Sequence, residues 1–159
     1  MNVIFLDFDG VINNNEETVT KEAMITLKEM ILKYQALVVI TTSWFVFSPN
    51  RKEKITAFLN KLGITNIDWL KLGLKGTYQG IPLSYRTLGI IDYLSEHPSI
   101  NYIVLDDEYD SEYRLLNINH LKTNPNIGLT KEDIKKVSFQ KPHPTIFTKV
   151  IDKEKGKSR

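Results

Sequence analysis

Cysteine is absent from this 159-residue sequence, and long apolar runs are absent as well. The first absence excludes disulfide bonds, thiolate metal ligands and cysteine nucleophiles. The apolar run at residues 3–6 is far too short to span a membrane, and no basic segment precedes it as in a secretory signal. We therefore expect a soluble, cytoplasmic protein that does not associate with membranes.

Neither sign of charge dominates the composition. The chain carries 21 Lys and Arg against 19 Asp and Glu, and 42% of its residues are hydrophobic, which is ordinary for a globular protein. Its length suits one domain of ~150 residues. The charge is uneven, because residues 141–159 hold six basic and two acidic residues. We expect one domain over residues 1–140 and a basic, solvent-exposed tail over 141–159, with contact to a phosphate-bearing polymer as the tail's alternative role.

Apolar stretches of strand length occur at three places, residues 3–6, 36–44 and 101–108. Continuous apolar and β-branched residues of this kind are typical of strands buried on both faces of a parallel sheet. Residues 114–119 predict a short further strand. Residues 64–84 predict a strand with a loop or a small β-flap.

Helical periodicity fills the intervals between these strands. One helix follows Thr20, another spans residues 85–97, and capping boxes predict two more, which begin at Asn50 and Thr130 with Glu53 and Asp133 as their partners. The residues that we expect these helices to bury include Met24, Leu27, Ile31, Tyr34, Ile55, Phe58, Leu59, Leu62, Ile134 and Val137. The alternation predicts an α/β fold, in which a mainly parallel sheet carries helices on both faces in three layers.

Polar side chains follow three of the predicted strands at the point where each strand ends. Asp7 and Asp9 follow the first, residues 41–43 close the second, and Asp106 with Asp107 closes the third. The carboxyl ends of parallel strands meet at one edge of the sheet, where ligands bind. Four carboxylates in one pocket repel each other unless a divalent cation offsets their charge, and an all-oxygen ligand set suits Mg²⁺. The sequence therefore predicts a magnesium and phosphate site at this edge.

Each of these segments also has a structural alternative. Asp106 and Asp107 can cap a helix, and the hydroxyl groups of residues 41–43 can do the same. A calcium loop that begins at Asp7 is excluded, because Val11 stands where a further ligand is required. The shared position of all three segments at strand ends favours one functional site over three unrelated caps.

Three stretches resemble the motifs of the haloacid dehalogenase (HAD) superfamily. FLDFDGV at residues 5–11 is similar to its first motif, VVITTSW at 38–44 to its second, and VLDDE at 104–108 to its acidic fourth motif. Together with GLT at 128–130, they resemble the small capless members of RNA-repair and polynucleotide-phosphatase proteins. The resemblance covers residues 1–137 and implies a HAD-like, Rossmann-like fold without a large cap domain.

The resemblance also implies a role for each acid. Asp7 would be the nucleophile that forms an aspartyl-phosphate, and Asp9 would be the general acid and base. The Mg²⁺ ion would be held by Asp7, by the backbone carbonyl of Asp9 and by Asp106, with Asp107 beside it.

Two positions of the implied site keep an alternative. The phosphate-binding hydroxyl is assigned to Thr42, with the amide of Ser43 as a second donor, and Thr41 is the competing register. The basic residue that the family carries before its acidic strand is assigned to Arg86, with Lys75 as the rival. An Arg where the family mostly has Lys is a departure, although Arg can bind phosphate through two hydrogen bonds.

These residues predict a Mg²⁺-dependent phosphomonoester hydrolase. An uncapped site admits bulky substrates, which favours a nucleic-acid 3′- or 5′-phosphate end over a small metabolite or a phosphoprotein. A receiver-like domain is an alternative from another class, but it would carry its adjacent acid pair after the first strand. A non-catalytic nucleic-acid-binding domain is disfavoured by the presence of both Asp7 and Asp9. Residues 13–15 are expected to form a loop first and to contact substrate second, and the oligomeric state is left open.

Overall fold

The computed structural model describes residues 1–13, 19–42, 49–73, 76–146 and 151–152. The strands are β1 (Asn2–Leu6), β2 (Leu37–Ile40), β3 (Ile67–Trp69), β4 (Gly76–Tyr78), β5 (Ile81–Pro82), β6 (Asn101–Asp106), β7 (His120–Lys122) and β8 (Ile151–Asp152). The helices are α1 (Lys21–Tyr34), α2 (Pro49–Lys61), α3 (Tyr85–Glu96), α4 (Asp110–Leu115) and α5 (Lys131–Ile134). Among the described residues, no helix has both the length and the apolar character needed to cross a bilayer.

The central sheet has five strands in the order β3-β2-β1-β6-β7, and every neighbouring pair is parallel. A receiver-type sheet has its first strand between the second and third strands. Here β1 lies between β2 and β6, so the order disfavours the receiver-like alternative. A second, small sheet has the order β5-β4-β8 and is antiparallel.

Helices cover the central sheet on both faces, because successive strand residues point to opposite sides. On one side, alternate residues of β1, β2 and β6 pack with α1 and α2: Ile4, Leu6, Val38, Ile40, Ile103, Leu105, Met24, Leu27, Met30, Ile55 and Leu59. On the other side the remaining residues pack with α3 and α4: Val3, Phe5, Val39, Tyr102, Val104, Leu88, Ile90, Ile91, Leu94 and Tyr113. The predicted three-layer α/β fold is therefore confirmed.

Several element boundaries agree with the sequence and two differ. The hydroxyl of Thr20 caps α1 by accepting from the amide of Ala23, as predicted. The capping box at Asn50 is wrong, because α2 already begins at Pro49 and Asn50 lies within its first turn. Proline suits the first helical position, since its fixed φ fits a helix and no amide hydrogen is needed there. Strand β2 also ends at Ile40, earlier than expected.

The strand expected at residues 114–119 is wrong. Helix α4 covers the first two of these residues, and the sheet strand begins only at His120. Tyr113 and Leu116 are both buried, and their spacing of three residues places them on one side of a helical turn. Residues 64–84 contribute β3 to the central sheet and a β4–β5 hairpin, which matches the strand and flap expected there.

The segments near the C-terminus stay close to the core. Thr130 and Asp133 form the predicted capping box, but α5 ends at Ile134, and both Ile134 and Val137 are only partly buried. Gln140 exchanges backbone hydrogen bonds of 2.8 and 3.2 Å with Tyr102, and Ile146 is fully buried. Gln140 is therefore tied to the edge of β6, and Ile146 packs into the core.

Candidate active site

Three strand ends lie side by side at the carboxyl edge of the central sheet. The amide of Asp7 donates to the carbonyl of Leu105 (3.1 Å), and the amide of Thr41 donates to the carbonyl of Leu6 (2.9 Å). These bonds continue the parallel ladders by one residue beyond β1 and β2. Asp7, Thr41 and Asp106 therefore stand level with one another, as expected from the sequence.

Three carboxylates meet at this edge. Asp7, Asp106 and Asp107 each offer an oxygen, and these oxygens all lie within 4.8 Å of one another. Asp7 is 3% exposed and Asp106 is 1% exposed, whereas Asp107 is half-buried. The side chain of Asp9 is exposed and lies outside this group, so the sequence placed one more carboxylate in the cluster than the fold does.

In the part of the chain that the structure describes, the acid cluster faces one cation, Arg86. Its Nη1 lies 3.3 Å from Oδ2 of Asp7 and 3.0 Å from Oδ2 of Asp106, and its guanidinium group lies 5.1 Å from the ring centre of Tyr109. Burial lowers the pKa of Arg86, but the carboxylates of Asp7 and Asp106 outweigh this effect and raise the pKa above its ordinary value. The residue is therefore a fixed positive charge at the second position of α3.

Asp106 is held by more than the arginine. The hydroxyl of Tyr113 donates to its Oδ2 at 2.8 Å, and the backbone amide of Glu108 donates to its Oδ1 at 2.9 Å. Both oxygens are therefore oriented before any ligand arrives. Tyr113 was not identified from the sequence, and its signal there is only an aromatic residue seven positions after the acid.

Burial without full compensation raises the pKa of two of these acids, Asp7 and Asp107. Burial raises the pKa of Asp7 well above its ordinary value, Arg86 opposes the rise, and the charges of Asp106 and Asp107 add to it. Burial raises the pKa of Asp107 to about 6, with further contributions from Asp106 and Glu108. Among the described residues, one arginine does not balance three carboxylates, so the cluster has the electrostatic character of a cation site.

Gly10 allows the chain to turn between the two halves of the site. Its φ is +73°, a conformation that glycine adopts without strain, and a Cβ there would collide with the carboxylate of Asp107. The hydroxyl of Thr123 donates to its carbonyl at 2.6 Å. The loop after β1 is thereby tied to the end of β7 and packs closely against Asp107.

Asn13 is a site residue that the sequence assigned mainly to loop formation. It is 2% exposed, its Oδ1 accepts from the amide of Gly10 at 2.9 Å, and its Nδ2 donates to Oδ1 of Asp9 at 3.0 Å. Asn13 therefore orients the carboxylate of Asp9. The only hint in the sequence is a polar residue directly behind the apolar pair that follows Gly10.

The hydroxyl groups at the end of β2 are both buried. Thr41 and Thr42 are each 1% exposed, and Oγ1 of Thr41 has no hydrogen-bond partner among the described residues. Because this hydroxyl is unpartnered, Thr41 stays an alternative to Thr42 as the residue that binds phosphate through its hydroxyl. Ser43 and Lys75 lie outside the described residues.

A parallel α/β sheet with these acids at its carboxyl edge defines a HAD-type domain. The family described as "HAD domain in Swiss Army Knife RNA repair proteins" matches residues 3–134, most of the chain, and the chain belongs to this family. Membership supports a hydrolase and associates the chain with RNA repair. No curated protein and no solved structure matched the chain.

Proposed function

We propose that this protein is a Mg²⁺-dependent phosphomonoester hydrolase that removes terminal phosphates from nucleic acid through an aspartyl-phosphate on Asp7. The observation that carries the proposal is the meeting of Asp7, Asp106 and Asp107 with Arg86 at the edge of the sheet. Buried acids gathered beside one cation serve no packing purpose, because their charges oppose burial.

The donor set suits magnesium. All three ligand candidates are carboxylates, and hard oxygen ligands with room for water and phosphate are what Mg²⁺ prefers. Asp7, Asp106 and Asp107 would hold the ion, together with the backbone carbonyl of Asp9. When bound, Mg²⁺ neutralises charge on the transferring phosphoryl group and on the cluster.

The side chains divide the reaction between them. The carboxylate of Asp7 attacks phosphorus, and the bond to the leaving oxygen breaks as Asp9 supplies a proton to that oxygen. Asp9 then takes a proton from water, which attacks the phosphorus of the aspartyl-phosphate and releases inorganic phosphate. Arg86, with the hydroxyl of Thr42 and the amide of Ser43, binds the phosphoryl oxygens.

The substrate class rests on two supports. The family is named for RNA repair proteins, and Asp9, which meets the leaving group, is exposed where a bulky leaving group can reach it. A 3′- or 5′-phosphate end of a strand is therefore favoured over an enclosed small metabolite. The cytoplasmic location, the role of the basic tail and the division into residues 1–140 and 141–159 stay predictions.

The test measures phosphate release from an aryl phosphate and from oligonucleotides with 3′- or 5′-phosphates, with and without Mg²⁺. We expect Mg²⁺-dependent release by the wild type and a loss of at least ~1,000-fold in Asp7→Asn, since no nucleophile remains. Because Asn has the same shape as Asp, we expect the variant to fold. Its free energy of unfolding is measured as the control for folding. Mg²⁺-independent release, or undiminished release by Asp7→Asn, contradicts the proposal.

A further inference from the structure

A pocket of about 230 Å³ adjoins the proposed leaving-group side of the site. It lies between the loop that follows β1 and helix α2, and its walls include Phe8, Ile12, Val19 and Phe58. Phe8 stands between the two catalytic aspartates in the chain. Asn13, whose amide donates to Asp9, also lines the pocket. Asn13 therefore links the pocket to Asp9, the proposed donor of a proton to the leaving oxygen.

The walls of the pocket are mainly apolar. Apolar side chains dominate, two of them aromatic, and the polar contributions come from Asn13 and Lys54. The amide of Asn13 is already engaged with Gly10 and Asp9, so it offers little to a ligand. Lys54 is exposed on α2 and brings a positive charge to the rim. An uncharged group with apolar faces therefore suits the interior, with an anion next to it at Lys54.

We propose that this pocket, which we call the leaving-group pocket, holds the base of the terminal nucleotide whose phosphate is removed. This inference rests on the proposed function and specifies its substrate. The volume is below the ~300 Å³ of drug-sized sites, which suits a single base and excludes a folded segment. Lys54 faces the next phosphate of the strand, the anion that a nucleic acid supplies and a free sugar phosphate does not.

The pocket accepts any base in this account. Among the described residues, the polar lining is Asn13, already engaged with Gly10 and Asp9, and Lys54 at the rim, whereas every base offers a flat apolar face. Recognition by contact with aromatic and apolar side chains tolerates all four bases. We therefore expect dependence on the presence of a base and weak dependence on its identity.

The experiment compares two oligonucleotides that differ only at the phosphorylated terminal nucleotide, which has a base in one and is abasic in the other. The ratio of their kcat/KM values is measured for the wild type, and their affinities for Asp7→Asn are measured by fluorescence anisotropy, which needs no turnover. We expect the wild type to prefer the oligonucleotide with the base by roughly tenfold or more. The affinities for Asp7→Asn should show the same preference.

Phe58→Ala and Phe58→Leu test whether the aromatic wall of the leaving-group pocket causes the preference for a terminal base. Phe139→Ala is the matched control, because it removes a phenylalanine outside the pocket. Phe139 is also half-buried against the same side of the core, but it lies beside Tyr34, with ring centres 4.6 Å apart. We expect Phe58→Ala to abolish most of the preference, Phe58→Leu to abolish part of it, and Phe139→Ala to retain it. Lys54→Gln should weaken binding of both oligonucleotides and reduce the slope of log affinity against log salt by ~0.7.

The outcomes separate this inference from the proposed function. Equal affinity and equal kcat/KM for the two oligonucleotides overturn the pocket's role, even where Mg²⁺-dependent hydrolysis through Asp7 stands. If Phe58→Ala and Phe139→Ala lose the preference for the base to the same extent, the pocket does not hold the base and the inference is overturned. Absence of hydrolysis overturns the proposed function, while the affinities for Asp7→Asn still decide whether the pocket binds a base.

Discussion

Both the oxygen and the nitrogen of the Asn13 side-chain amide form hydrogen bonds, and the bond from the nitrogen orients the carboxylate of Asp9. The amide of Gly10 can only donate, so Oδ1 of Asn13 faces it and Nδ2 faces Asp9. Oδ1 of Asp9 is therefore an acceptor. In the proposed reaction, the proton for the leaving oxygen is carried by the other oxygen of Asp9.

Asn13→Ala tests this arrangement through the leaving group. We expect kcat/KM to fall at least ~10-fold for an alkyl phosphate, whose leaving oxygen needs a proton, because Asp9 loses its orienting bond. We expect a much smaller change for a nitrophenyl phosphate, which leaves without protonation. Steady-state kinetics on both substrates check this, and an equal fall for both would mean that Asn13 only supports the loop.

The two threonines at the end of β2 are separated by isosteric substitutions to valine. Thr42→Val should lower kcat/KM by ~10- to 100-fold, the effect of one hydrogen bond to a charged group. Thr41→Val removes a buried hydroxyl that has no partner among the described residues, so the free energy of unfolding should rise by up to ~1 kcal/mol with activity retained. The reverse pattern of activities would exchange the two assignments.

At the scale of elements, helix α4 supports the active site from one side. Glu112 accepts from the amide of Ser84 at 2.7 Å and from the hydroxyl of Thr87 at 3.0 Å, and Ser84 is the N-cap of α3. Arg86 lies between these two residues in the first turn of α3. Helix α4 thus fixes the start of the helix that carries the active-site cation, and its Tyr113 fixes Asp106.

Glu112→Ala should therefore affect both stability and activity. We expect the free energy of unfolding to fall by ~1–3 kcal/mol, because the amide of Ser84 loses a charged partner. We also expect kcat/KM to fall at temperatures where the variant is fully folded, because Arg86 shifts. Glu112→Gln keeps an acceptor and adds a donor, so it should recover most of both quantities in urea unfolding and kinetic assays. Full activity in Glu112→Ala would contradict this role of α4.

Elements that are defined by interactions between residues close in the sequence could be predicted, and those that depend on residues far apart in the sequence could not. The strands ending in Asp7 and Asp106 and the helix capped by Thr20 carry local signals, and the structure agrees with each. The strand predicted at residues 114–119 overlaps the last two residues of α4, a helix without a local signal because it is short and its N-cap, Tyr109, makes no capping hydrogen bond through its side chain. Its contacts with α3 join residues 25 to 28 positions apart, which no local pattern reveals.

The predictability of the site follows the same rule. The end-of-strand acids could be grouped from the sequence because parallel strands bring their carboxyl ends to one edge. The position of Arg86 beside the acids depends on how α3 packs, and the contact of Asn13 with Asp9 depends on the turn at Gly10. Those two features arise from tertiary geometry, so the sequence alone left them as alternatives.

At the scale of the whole molecule, the buried tyrosine Tyr102 makes the free energy of unfolding depend on pH. Tyr102 is fully buried, its hydroxyl accepts from the amide of Asn119, and burial raises its pKa to about 12 despite that bond. An unfolded tyrosine ionises near ~10. The folded state therefore resists a deprotonation that the unfolded state undergoes.

This difference predicts alkaline destabilisation. Stability should be intact below pH ~10 and should decrease as pH rises toward about 12, by up to roughly 3 kcal/mol from Tyr102. Urea unfolding between pH 8 and 11.5 measures the slope, and Tyr102→Phe should make it shallower. A free energy of unfolding that is constant across this range would contradict the linkage.

The central claim is a covalent intermediate on Asp7, and trapping that intermediate tests it most directly. Asp9→Asn protein is mixed with Mg²⁺ and a nitrophenyl phosphate labelled in its phosphoryl group, quenched in acid and digested. Because Asn cannot activate water, we expect near-stoichiometric label on the peptide that contains Asp7, removable by hydroxylamine as an acyl phosphate is. No label should appear in the Asp7→Asn protein. Mg²⁺-dependent release of nitrophenol without covalent label, or with label on another residue, would contradict the account.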